Sequence, residues 1–235
     1  MRSCSKIVVL AAAATFLVFS VVDGQAQTIL DFDFSAVLER NSFNPVTATS
    51  TFDANLKPFG TESAKGLEFG TTSNVNDPPD SQVSVGELAW DNNFGSPDVQ
   101  GLDYAFANDR YIGFTIEPKD GYRLNLAGED LVVNWYVQQA GQSPRDLSLF
   151  TTIGGFSAYT DAVETKDNIG GNNSYHLMTF TLPGGSNYDG ITDPFEVRIY
   201  FHDAVYNGKL SKVNQLTLNG EVEFIPPEGT IFVIK

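Results

Sequence analysis

Short runs in which apolar and polar residues alternate constrain this chain more than any other feature. In "LVVNWYVQ", Leu131, Val133, Trp135 and Val137 share one parity, and Asn134, Tyr136 and Gln138 share the other. "FEVRIYFH" repeats the arrangement, with Phe195, Val197, Ile199 and Phe201 set against Glu196, Arg198, Tyr200 and His202. "YIGFTIEP" places Ile112, Phe114 and Ile116 on one face. Successive side chains of a strand point to opposite faces, so each run buries one face and wets the other. No 11-residue window shows the apolar spacing of an amphipathic helix.

Further strands are expected in "KGLEFGTT", "VSVGELAW", "DLSLFTTI", "YHLMTFTL" and "KVNQLTLNGEVEF". With the opening segment "TILDFDFS" they bring the total to about nine, separated by clusters of Gly, Asn, Asp and Pro. Many short strands joined by turn-rich loops define an all-β fold, an antiparallel β-sandwich or barrel. The loops "SNVNDPPDSQ" and "DNNFGSPDVQG" are long and polar, and such loops gather at the ends of sandwiches, where ligands often bind. Residues 27–224 are read as one domain. Residues 225–235, set off by Pro226 and Pro227, form a tail or an edge strand.

Residues 1–26 read as a secretory signal peptide. Arg2 and Lys6 precede an uncharged apolar run from Ile7 to Val22, and Gly24 and Ala26 take the −3 and −1 positions of a cleavage site. The run falls short of the roughly 20 residues that span a bilayer, and no later segment is expected to cross one. Cleavage removes Cys4, the one cysteine, so the mature chain has neither disulfide nor thiol chemistry. The remaining chain of about 209 residues is enough for one domain that folds on a core without staples. The full chain carries 29 acidic and 14 basic residues, a net charge of −15. That balance argues against nucleic acid and against anionic membrane surfaces. The expected location is secreted, outside the cell or at its surface.

Little in the sequence resembles catalytic machinery. His176 and His202 are the two histidines, and no H-E-x-x-H or G-x-S-x-G motif is present. Asp31 and Asp33 would be about 6.5–7 Å apart on one strand face. A glycosidase could use that separation, but a flat strand face lacks the cleft that such chemistry needs. The expectation is therefore a protein that is not an enzyme. A binding surface fits better. If the strands bearing them pair, Asn134, Tyr136, Gln138, Arg198, Tyr200 and His202 form one outward patch of aromatic platforms and polar groups. Such a patch suits sugars, whose C–H faces stack on aromatic rings.

A family resemblance covers Ile29 to Val222. Asp109 and Tyr111 lead into the strand motif Phe114, Thr115 and Pro118, followed by Gly121, Tyr122, Leu124 and Leu126. The order continues through Ser143, Pro144 and Leu149 to Gly155, Phe156 and Ser157, and "PFEVRIYFHDA" and "QLTLNGEV" close it. This layout resembles the secreted β-sandwich proteins of aquatic bacteria, many of which end in a PEP-CTERM sorting signal. The chain departs from them at "IPPEG", which no sorting helix follows, and at Asn214, where the family often has an aspartate. The resemblance implies a jelly roll of the galactose-binding, carbohydrate-binding-module-like kind and does not imply an enzyme. It also distinguishes Asp33, which falls on a position the family keeps, from Asp31, which does not. First and last strands lie close in a jelly roll, which would bring Asp33 to Asn214 as a weak structural calcium site.

The leading expectation is a non-catalytic protein associating with extracellular polysaccharide or cell-surface glycan. The alternatives are a self-associating matrix or surface-layer component, and a polysaccharide hydrolase or lyase.

Overall fold

The computed structural model describes residues 27–33, 49–60, 63–65, 68–69, 88–91, 101–109, 111–137, 145–167, 174–203 and 210–227. The expected signal peptide, Gln138 and the last eight residues of the expected tail lie outside the described residues.

In chain order the elements are β1 (Gln27–Asp33), β2 (Thr49–Phe52), β3 (Glu68–Phe69), β4 (Leu88–Asp91) and a short helix α1 (Leu102–Ala107). They continue with β5 (Tyr111–Ile116), β6 (Tyr122–Asn125), β7 (Asp130–Val137), β8 (Asp146–Thr151), β9 (Glu164–Lys166), β10 (Ser174–Thr181), β11 (Phe195–His202) and β12 (Leu210–Phe224). Two antiparallel sheets result. The larger has the order β10-β7-β12-β1-β2, with β4 and β6 also pairing with β12; the smaller has the order β3-β5-β11-β8-β9. The expected antiparallel β-sandwich is the observed architecture.

The alternation read in the sequence decides what faces the core. Leu131, Val133, Trp135 and Val137 from the larger sheet are buried against Phe195, Val197, Ile199 and Phe201 from the smaller one. Trp135 meets Phe201 edge-on across the layers, with centroids 5.7 Å apart, and Phe32 packs on Phe59 and Phe114 at 5.6 Å each. These geometries suit the ring quadrupoles.

β12 is the spine of the larger sheet. It pairs with β7 on one side and β1 on the other, and its ends reach β4 and β6. Its register against β7 shifts between Val213 and Gln215, so Asn214 is a bulge residue.

Four elements fall outside the nine expected strands: the short strands β2, β6 and β9, and one helix. The six-residue helix α1 packs on the outer face of the smaller sheet, where Ala105, Phe150 and Tyr200 form a second small core with Leu102, Phe106, Tyr111 and Phe156. The smaller sheet is therefore covered on both sides around Tyr200.

Candidate functional site

The patch expected from β7 and β11 does not exist as one surface. β7 belongs to the larger sheet and β11 to the smaller, so Asn134 and Tyr136 lie on the opposite side of the sandwich from Arg198, Tyr200 and His202. Tyr200 and His202 have the outward parity read from the sequence, but both are buried. Parity assigns a side chain to a face of its own sheet, and α1 then covers that face over Tyr200.

Arg198 is also committed internally. Its guanidinium lies between the rings of Tyr111 and Phe156, at 4.6 and 4.3 Å from their centroids, and its Nε donates to Glu196 Oε1 at 2.5 Å. Burial acts to lower its pKa, but the hydrogen bonds to Glu196 and Tyr200 outweigh this and raise it, so the charge is permanent.

His202 Nε2 lies 2.8 Å from Ser148 Oγ, and its Nδ1 lies 3.3 Å from Asp203 Oδ2. Burial lowers the His202 pKa, with Asp146 and Asp167 opposing the shift. The patch expected from the sequence does not include Ser148, Asp146 or Asp203.

Burial raises the pKa of two tyrosines above the ordinary value of 10.0. Tyr188 is opposed by its hydrogen bond to Thr151, and Tyr200 by Arg198. A raised folded-state pKa means the unfolded chain loses these protons first, so stability falls as pH rises past 10. An ultraviolet phenolate titration should therefore show Tyr188 and Tyr200, of nine tyrosines, ionising only as the fold is lost. Reversible ionisation of all nine in the folded protein would contradict this.

The other half of the expected patch gains partners from β10. Register places Tyr175 opposite Tyr136 and Leu177 opposite Asn134 on the outer face of the larger sheet. The two tyrosine rings lie 5.1 Å apart at 54°, Tyr175 is 36% exposed, and Leu177 is 68% exposed. Beyond Asn134, the same rung continues through Gln215 to Asp33. The adjacent rung runs Thr179, Val132, Thr217, Asp31 and Thr51. Asp31 accepts hydrogen bonds from Gln215 Nε2 at 3.0 Å and Thr217 Oγ1 at 2.9 Å. Tyr175 lies in an expected strand but not in the expected patch, because its pairing with β7 is not readable from either segment alone.

Asp33 stands opposite Gln215, one residue along β12 from Asn214, so the first and last strands do bring the two expected calcium residues near each other. Asn214 Oδ1 is buried without a hydrogen-bond partner.

At one end of the sandwich, Arg123, Asn125, Ser186, Asp189 and Gly190 line an open polar cleft of about 430 Å³. Its groups largely satisfy one another. Arg123 donates to Glu223 at 2.6 Å, and Asn125 donates to Glu223 and accepts from the Gly190 N–H at 3.0 Å each.

The fold is a two-sheet β-sandwich whose larger sheet carries Tyr136, Tyr175 and Leu177 on its outer side. No family model matches the chain, and no curated protein matches it. Among solved structures it is similar to the K3 adhesin domain of Lys-gingipain from Porphyromonas gingivalis, at 12% identity and a TM-score of 0.38, over 83% of this chain and 99% of that one. It is also similar to a xylan-binding module, at 10% identity and a TM-score of 0.37, over 70% of this chain and 88% of that one. A carbohydrate-binding module of the β-sandwich superfamily matches at 12% identity and a TM-score of 0.32, over 68% of this chain and 58% of that one. Among the described residues no helix is long and apolar enough to cross a membrane.

Proposed function

We propose that this is a non-catalytic, secreted domain that associates with extracellular polysaccharide through the outer face of the larger sheet. The observation that carries the reading is the Tyr136–Tyr175 pair, partly exposed, with Asn134 on the next rung and Gln215, Asp33 and Asp31 farther along the same face. Ring faces offer stacking area to sugar C–H groups, and the neighbouring amides and carboxylates offer hydrogen-bond partners for hydroxyls. Tyr175 and Leu177 are exposed on it, and neighbouring strands repeat the rung along the face, which suits an extended chain. Its aspartates and the net charge of −15 repel anionic polymers, so the preferred ligands are neutral glycans. A hydrolytic role has less support, since the Asp31 carboxylate is engaged by Gln215 and Thr217 and no wall rises opposite it among the described residues.

Affinity electrophoresis in gels containing xylan, neutral glucans, mannan or an anionic polyuronate tests this. Retardation is expected on at least one neutral polymer and not on the polyuronate. The double variant Tyr136→Ala/Tyr175→Ala should lose about tenfold or more in affinity, since aromatic contacts of this kind contribute roughly 0.5–1.5 kcal/mol each. Retardation that the double variant leaves unchanged, or none on any neutral polymer, would overturn the proposal.

The calcium proposal rests on Asp33 and the orphan oxygen of Asn214. Calcium is expected to raise the melting temperature by a few degrees in the parent and to do nothing in Asp33→Asn, because binding to the folded state alone stabilises it. An identical melting temperature with calcium and with chelator would remove the site.

A further inference from the structure

On the far side of the sandwich, three ligand-type side chains converge without any role in the proposed glycan face. Asp146 opens β8 and His202 closes β11, and the two are directly paired across those strands. Asp203 follows at once, held at a φ of 58°. Asp146, His202 and Asp203 each offer one ligand atom, all within 4.8 Å of one another.

We propose that Asp146, His202 and Asp203 form a zinc-type divalent metal site at the end of the smaller sheet. The imidazole separates this cluster from ordinary surface carboxylates. It is a nitrogen donor only 3% exposed, and its orientation is fixed from behind. Ser148 Oγ holds Nε2 at 2.8 Å, and Thr165 Oγ1 on β9 in turn holds Ser148 Oγ at 2.8 Å. That chain leaves Nδ1 on the side of the carboxylates, and metal-ligating histidines are characteristically oriented by a bond to their other ring nitrogen.

The spacing also fits. Ligands about 2.0–2.1 Å from a tetrahedral ion sit roughly 3.3–3.4 Å from each other. The Nδ1–Asp203 Oδ2 separation is 3.3 Å. One imidazole with two carboxylates suits zinc and its neighbours in the transition series, whereas calcium and magnesium take all-oxygen sets. Two of the ligands sit on adjacent paired strands, so a bound ion would tie the end of β11 and the residue after it to the start of β8.

Titration of the purified chain with Zn²⁺ by calorimetry, and with Co²⁺ by visible absorption, tests the site. One equivalent of Zn²⁺ should bind and raise the melting temperature, and EDTA should reverse the rise. Co²⁺ should give the ligand-field band of a tetrahedral centre. Asp203→Asn and Asp146→Asn should each lower zinc affinity by at least about tenfold, and Ser148→Ala by roughly 10- to 100-fold. His176→Ala, which changes the other histidine, should leave binding unchanged. If one aspartate variant fails to fold, the other carries the test through its cobalt spectrum. Absence of the cobalt band in the parent, its persistence at full affinity in a folded aspartate variant, or its loss in His176→Ala would each overturn the site. Because the glycan face lies on the other sheet, neither result bears on polysaccharide binding.

Discussion

Gly113→Ala is expected to destabilise the protein by about 3 kcal/mol, at the upper end of what overpacking a core costs. Gly113 sits in the middle of β5, paired with Arg198 on β11 and Glu68 on β3. A Cβ there would lie 2.6 Å from the Val197 carbonyl oxygen and 3.2 Å from two ring carbons of Tyr111. The carbonyl is backbone and cannot swing away, so β5 and β11 must separate at their centre. Tyr111, which carries one side of the Arg198 stack, must move as well. For a domain of this size the loss corresponds to roughly 6–12 °C in melting temperature. Gly184→Ala is the internal control. Nothing lies within 4 Å of its added Cβ, so its effect should stay within about 0.5 kcal/mol or be slightly stabilising. Urea denaturation of the two variants side by side checks the contrast, and equal stabilities would refute the close-approach argument.

Trp135→Ala should cost about 3–5 kcal/mol, the range for removing a large aromatic from a core. Trp135 is fully buried in β7 and meets Phe201 across the two layers, so the cavity would open where the sheets are held together. Against a total stability of about 5–15 kcal/mol, this variant approaches loss of the fold. Trp135→Phe discriminates packing from polarity. The indole Nε1 is buried without a hydrogen-bond partner, so phenylalanine removes an unsatisfied donor along with part of the ring. Its cost should be only about 1–2 kcal/mol. Equal costs for alanine and phenylalanine in chemical denaturation would show that the indole N–H has a partner after all.

What the sequence made legible was local. The alternation in β7, β5 and β11 identified inward residues that are indeed buried, and it placed Asn134 and Tyr136 on the outer face. Pairing was not legible, because it joins segments far apart in the chain. β7 and β11 look alike as sequences, yet β7 finds β10 and β12 while β11 finds β5 and β8. The error at Tyr200 and His202 follows from this and from α1. At six residues the helix is too short to display a period, yet it is placed to cover a strand whose polar parity suggested exposure. Asp31 and Asp33 show the same division. Their outward direction could be read from "TILDFDFS", but the bonds from Gln215 and Thr217 to Asp31 depend on a register set by β12, nearly two hundred residues later.

That register has a mechanical consequence. β1 and β12 are antiparallel neighbours, and Gln27 faces Gly220, so the backbone enters and leaves this sheet at the same end. Tension applied between Gln27 and Phe224 would open the β1–β12 ladder one rung at a time, like a zipper, instead of shearing all its bonds together. A domain held by the outer face of its larger sheet and pulled through both strand ends should therefore yield at low force, from the edge inward, before the Trp135 layer is disturbed.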